Sequence, residues 1–130
     1  MQLLDHVSIT VKSLAAVKPF YRAIMHVLGA ELVYDEADAI GFGERNTALS
    51  DRHSYLSIFE SEHASVDPRR HWCFRASSIF QVDEFHALGL SRGGSDAGLP
   101  GLRDYHAGYY AAFLFDPEGN KVEAVFHCVK

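Results

Sequence analysis

The chain has only two cysteines in 130 residues, Cys73 and Cys128, and they show no CxxC spacing. A disulfide framework and a thiolate metal knuckle are excluded, and two buried thiols in a reducing cytoplasm are expected. Basic residues are few: 12 Lys and Arg against 17 Asp and Glu leave a net charge of −5. The densest basic cluster is "RR" at 69–70, so neither nucleic acid nor an acidic membrane surface has electrostatic support as a partner. There is no run of 18 apolar residues, and "MQLLDHVSITV" enters folded-domain sequence without a charged-then-apolar leader. The expectation is therefore one cytoplasmic domain over residues 1–130, with no membrane partner.

Histidine is plentiful by comparison, with eight residues, and that prompts a search for metal ligands. The stretch "LDHVSITV" at 3–10 alternates as a strand: Val7, Ile9 and Val11 point one way, His6, Ser8 and Thr10 the other. Leu14, Val17, Tyr21, Ile24 and Leu28 follow at helical spacing, and Gly29 ends the run. Pro19 is tolerable only in a first turn, which moves the expected start of the regular helix toward Val17. Strands are predicted at Ala30–Asp35, Ala39–Gly43 and Tyr55–Glu60, with polar connections at 44–54 and 61–70. "HWCFRA" at 71–76 alternates again, with Trp72 and Phe74 opposite His71, Cys73 and Arg75. Ser78 with Gln81 forms a capping box ahead of a stripe of Ile79, Val82, Phe85 and His86. "GG" at 93–94 ends that helix, a Gly-rich loop covers 95–108, and strands Tyr109–Asp116 and Lys121–His127 flank a "DPEGN" turn.

The sequence repeats itself. A shift of 65 places His6 on His71, Ser13 on Ser78, Val17 on Val82, Phe20 on Phe85 and Gly29 on Gly94. The apolar phase is kept as well: Val7 meets Trp72, Ile9 meets Phe74, Leu14 meets Ile79 and Met25 meets Leu90. The reading is an α+β fold of two tandem βαβββ modules, about 1–65 and 66–130. Two matched strands, each opening on a histidine of the same face, converge if the modules pack about a pseudo-twofold. In "KVEAVFH" the carboxylate of Glu123 interrupts an apolar strand, which is costly unless it is paired or metal-bound. His6, His71 and Glu123 together make two imidazoles and a carboxylate, a set that leaves coordination positions open.

Four segments, "LDHVSITV", "FYRAIMHVLGAEL", "HWCFRA" and "HAGYYAAFLFDPEGNKVEAVFH", resemble the vicinal oxygen chelate superfamily. That group includes glyoxalase I, extradiol dioxygenases, fosfomycin-resistance transferases and bleomycin-binding proteins. The resemblance spans essentially the whole chain and is most specific over 106–127. It implies a cupped mixed sheet with helices outside and a divalent metal (Fe, Mn, Zn or Ni) in the cup. It places ligands at the starts of the modules' first strands and on their last strands, which here carry His6, His71 and Glu123. The remaining ligand position falls in "YLSIFE", where Ser57 or Tyr55 offers no strong ligand. The three-ligand set is nearer the dioxygenase pattern, whereas the length is that of the smaller relatives.

Other residues carry open alternatives. Arg75 either clamps an anionic substrate or pairs at the rim. Tyr105, His106, Tyr109 and Tyr110 flank the start of a central strand and serve either as acid–base and substrate-binding groups or as packing. His127 lies too far along its strand from Glu123 to share a metal. His26, His63 and His86 read as surface residues, and His53 belongs to the polar loop. The first functional reading is a metal-dependent lyase, isomerase or ring-cleaving dioxygenase acting on a small oxygen-chelating substrate. The other is a metal-free resistance protein that holds a drug-like or aromatic ligand. Both carry the expectation of a homodimer, since open sheets leave edges and faces to cover.

Overall fold

The structure is a computed structural model, and it describes residues 1–128. The first module runs β1 (His6–Val11), α1 (Leu14–Leu28), β2 (Leu32–Asp35), β3 (Ala39–Gly43) and β4 (Tyr55–Glu60). The second runs β5 (His71–Arg75), α2 (Ile79–Ser91), β6 (Ser95–Arg103), β7 (Tyr109–Phe115) and β8 (Lys121–His127). The strands form two four-stranded mixed sheets of matching order, β1-β4-β3-β2 and β5-β8-β7-β6. In each, the first strand pairs parallel with the last and the other pairings are antiparallel.

The repeat has a direct structural meaning. Ser13 and Ser78 are both N-caps, accepting from Ala16 N and Gln81 N. Val17, Val82, Phe20 and Phe85 are all fully buried in one core shared by both modules. Gly29 caps α1 in the left-handed region at φ 78°, whereas in the second module the left-handed residue is Gly93 at φ 96°, one place early. In α2 the box differs by one residue too: Gln81 Oε1 accepts from Ser77 N at 2.8 Å, not from the cap residue itself.

Helix α1 begins at Leu14 rather than near Val17. Pro19 is accommodated because it lies on the exposed side, where the Ala15 carbonyl that loses its partner is open to water. The N-terminus is also secured from outside. Glu118 accepts from Lys12 N and Ser13 N, each at 2.7 Å, and Glu60 accepts from Leu14 N at 3.0 Å. Carboxylates at this end also suit the helix dipole. Glu118 belongs to the β7–β8 turn, whose buried Asp116 accepts from Tyr21 Oη at 2.6 Å and from Asn120 N at 2.9 Å. Burial first, and then the Asp116 charge, push the Tyr21 phenol well above its usual range, so it remains the donor.

Three expectations are corrected. The predicted loop at 95–108 contains strand β6, whose register shifts at Gly98 and Gly101. Its Gly and Pro content signals a loop, but β6 is an edge strand, and Pro100 sits in its unpaired bulge. His86 is not a surface residue: it is buried and faces Asp96 Oδ1 at 2.8 Å, tying α2 to β6. Cys73 is exposed and Cys128 half-buried, because the pleat of β5 turns Cys73 away from the helices. Among the described residues no helix is long and apolar enough to cross a membrane.

Candidate functional site

Both helices cover one face of the sheets and leave the other face open. Alternation along β5 sends Trp72 and Phe74 toward the helices and His71, Cys73 and Arg75 to the open face. On β8, Val122 and Ala124 enter the main core, so Glu123 and Val125 lie opposite. Glu123 is nevertheless only 2% exposed. Cys73 and Phe113 are its register partners on either side. Its Oε1 stands 3.1 Å from His71 Nε2, and its Oε2 accepts a short hydrogen bond from Tyr109 Oη. Among the described residues no Lys or Arg lies within ion-pairing distance of it.

The electrostatics follow from that carboxylate. Loss of solvent around the ring, then the bond to Glu123, push the Tyr109 phenol well above its usual range, so it holds its proton. Loss of solvent, followed by the Glu123 charge, pushes the Cys73 thiol up to about 12. We expect Cys73 to react slowly at pH 8 although the residue is exposed. A shift of this size removes thiolate about a thousandfold, and the greater nucleophilicity of a more basic sulfur restores part of the rate. The net slowing relative to a cysteine peptide is on the order of fifty-fold, read with a neutral dipyridyl disulfide and mass-resolved labelling. Glu123→Gln should speed it. A wild-type rate equal to the peptide's would show that Glu123 does not control this thiol.

The first module carries the matching position. His6 lies on the open face, its ring stacked on Tyr55 with centroids 4.9 Å apart. Its Nδ1 faces Asp5 Oδ1 at 2.7 Å, which directs Nε2 outward as the free nitrogen. Asp5 also accepts from Asn46 Nδ2 at 2.6 Å, so the 44–54 loop is tied to His6. Ser57 occupies the place on β4 that Glu123 has on β8, beside Ser8 as Glu123 is beside Cys73. It is buried, and it accepts from Tyr34 Oη at 2.7 Å. The Tyr34 ring lies over Gly41, where an added Cβ would meet it at 2.3 Å. His6, Ser8, Tyr34, Tyr55, Ser57 and Phe59 help line an open cleft of about 390 Å³.

The structure thus brings His71, Glu123 and Tyr109 together, and leaves His6 on the other sheet. Among the described residues, no three His, Cys, Asp or Glu side chains of one chain are placed to hold a metal ion. Tyr105 and His106 pack edge-on against Tyr109 at 4.9 and 5.2 Å, and His127 stacks on His106 at 5.1 Å. Arg75 is exposed on the His71 face, with no ion pair among the described residues. Tyr110 faces α2 and donates to Asp83 Oδ1 at 2.6 Å, on the opposite side of β7 from Tyr109. Asp5, Tyr34, Arg45 and Asn46 also belong to this region, and none of them is singled out by the sequence.

His71 and Glu123 fit one edge of a metal site. Two ligands at about 2.1 Å and a right angle stand about 3 Å apart, close to the 3.1 Å found here. Among the described residues, a single chain supplies that edge and no third ligand.

Two βαβββ modules of matching strand order, with helices on one face of the sheets and the other face open, define the class of fold. The chain belongs to the Glyoxalase/Bleomycin resistance protein/Dioxygenase superfamily, whose model matches residues 3–124. It is similar to a glyoxalase/bleomycin resistance protein from Albidiferax ferrireducens, with 29% identity, 98% of this chain and 100% of that chain covered, and a TM-score of 0.81. A glyoxalase/bleomycin resistance protein/dioxygenase family enzyme from Burkholderia phytofirmans shares the fold at 19% identity, with 95% and 98% covered and a TM-score of 0.68. So does a genomically encoded fosfomycin resistance protein from Listeria monocytogenes, at 19% identity, with 99% and 96% covered and a TM-score of 0.67. No curated protein matches the chain.

Proposed function

We propose that the protein is a metal-dependent enzyme acting on a small substrate that presents two neighbouring oxygens. The observation that carries this is Glu123, a carboxylate 2% exposed that faces an imidazole at 3.1 Å and, among the described residues, has no Lys or Arg within ion-pairing distance. Burial of such a charge is expensive without a cation. His71 and Glu123 would hold a divalent ion (Fe, Mn, Zn or Ni), and His6 would complete the set from a second copy of the chain. A homodimer follows, because one chain does not bring His6 to the other two. A bound ion would polarise substrate oxygens, which suits a lyase, an isomerase or a ring-cleaving dioxygenase.

The chain's own groups then have separate tasks. Tyr109 keeps its proton at neutral pH and acts as a hydrogen-bond donor or acid at the Glu123 oxygen. Tyr105 and His106 hold that ring edge-on, and His106 is itself exposed. Arg75 offers a charge to the substrate from the same face, and Tyr55 and Ser57 form the floor on the His6 side. A metal-free binding protein is the second reading. It is favoured by one feature: each Glu123 oxygen already has a protein partner.

Metal analysis of the purified protein and a mixing experiment decide between them. His6→Ala and Glu123→Gln should each bind Mn(II) poorly as separate proteins. Unfolded together and refolded, they should recover part of the binding, since mixed dimers contain one intact set. No recovery in a mixed dimer, or a monomer by sedimentation at tens of micromolar, would rule out the shared site.

A further inference from the structure

The cleft on the first sheet contains a cation that no carboxylate among the described residues pairs with. The Arg45 guanidinium lies 5.3 Å from the Tyr34 ring centroid and 5.6 Å from that of Tyr55. Among the described residues no carboxylate is within ion-pairing distance, although Glu36 lines the same cleft. Two other basic residues of this module, Lys18 and Arg22, are both paired to Asp35. A chain of net charge −5 therefore keeps a free guanidinium over two aromatic rings in a polar cleft.

The position is built. Asn46, the next residue, donates to Asp5 Oδ2 at 2.6 Å and to His53 O at 2.8 Å, and accepts from His53 N at 2.8 Å. Glu44 N, on the other side, bonds to Ser54 O at 3.0 Å. Arg45 thus projects from a segment fixed at both neighbours, and Asp5 links that segment to His6. The rings of Tyr34 and Tyr55 restrict the guanidinium, and among the described residues its N–H fork has no protein acceptor. A guanidinium fork matches a planar carboxylate or a phosphonate in two parallel hydrogen bonds, which an ammonium does not.

We infer that Arg45 is a specificity residue that selects a small oxyanion, and that Tyr55, Phe59 and the His6 ring hold the flat apolar body of the same molecule. Phe59 is 40% exposed on this face, which leaves its ring accessible to a flat apolar group. The volume of about 390 Å³ accommodates a small aromatic acid. The inference rests on reading the open faces as a small-molecule site, but not on any metal.

The test uses the whole protein in chelator, with benzoate, phenylphosphonate and neutral benzamide as probes, followed by amide shifts in two-dimensional NMR. Benzoate or phenylphosphonate should shift Arg45, Tyr55 and Ser57, and bind more tightly than benzamide. Arg45→Gln should weaken the oxyanion by about tenfold to a hundredfold and leave benzamide unchanged. Arg45→Lys, which keeps the charge and loses the fork, should fall between. The residue is exposed, so all variants should melt as wild type does. Equal binding of benzoate and benzamide, an Arg45→Gln variant as good as wild type, shifts confined to the second sheet, or no binding of either oxyanion would each overturn it. Loss of metal binding in Glu123→Gln with this result intact would leave the two proposals separate.

Discussion

Glu123→Gln should abolish the thermal stabilisation that Mn(II) gives to this protein. A ligand at a thousandfold excess over its Kd adds about 4.1 kcal/mol to the folded state. For a domain of this size that is roughly 10–20 °C in Tm. Glutamine keeps the shape of the side chain and can still accept from Tyr109 while its amide faces His71. Without metal, the variant should therefore differ from wild type by about 1 kcal/mol, the worth of an ordinary hydrogen bond. The charge is the part that is lost, and a dipositive ion would lose its anionic protein ligand with it. Melting curves of both proteins, each with Mn(II) and with chelator, separate the two contributions. An equal metal-induced shift in both would exclude Glu123 as a ligand and leave the metal-free binder as the better reading.

The second large effect lies far from the open faces. Phe20→Ala should lower stability by about 3–5 kcal/mol, the cost of removing a fully buried aromatic ring. That is a large fraction of the roughly 5–15 kcal/mol that holds an ordinary domain. Phe20 is fully buried, and its ring lies against α2: a Cβ added at Gly94 would stand 2.5 Å from Phe20 Cε2, and one at Gly89 3.2 Å. The ring therefore joins the two modules, and the hole it leaves cannot collapse without moving one helix onto the other. Its repeat partner Phe85 is equally buried and should behave alike. Phe80→Ala is the control, because Phe80 is 70% exposed and should cost less than about 0.5 kcal/mol. Urea unfolding reads all three. A Phe20→Ala midpoint close to wild type would mean that the modules do not depend on this contact.

Much of the fold could be read from residue order. The 65-residue shift that aligns Ser13 with Ser78 and Phe20 with Phe85 works because the same physical problem, capping a helix and burying its stripe, is solved twice. Strand faces were legible for the same reason: a period of two puts His6, His71 and Glu123 opposite the core whatever the sheet order. Strand β6 was not legible from its own residues, since Gly98, Pro100 and Gly101 carry loop chemistry. Its strand character comes from β7 alongside it, and from an edge position that forgives a missing donor. His86 failed similarly, because its partner Asp96 arrives from that unrecognised strand.

The candidate site divides along the same line. The sequence by itself determined its donor types, their faces and their duplication, because these depend on local periodicity and the repeat. Tertiary structure alone decided which donors meet. Parallel pairing of β5 with β8 places Glu123 next to the His71 strand, and the separation of the two sheets keeps His6 away from both within one chain. It also decided that Tyr109 turns to Glu123 while its neighbour Tyr110 turns to Asp83, a difference set by the pleat against the helix layer. Arg45 illustrates the limit best. One arginine in a polar loop carries no pattern, and only the folded positions of Tyr34, Tyr55 and Asn46 give it a place.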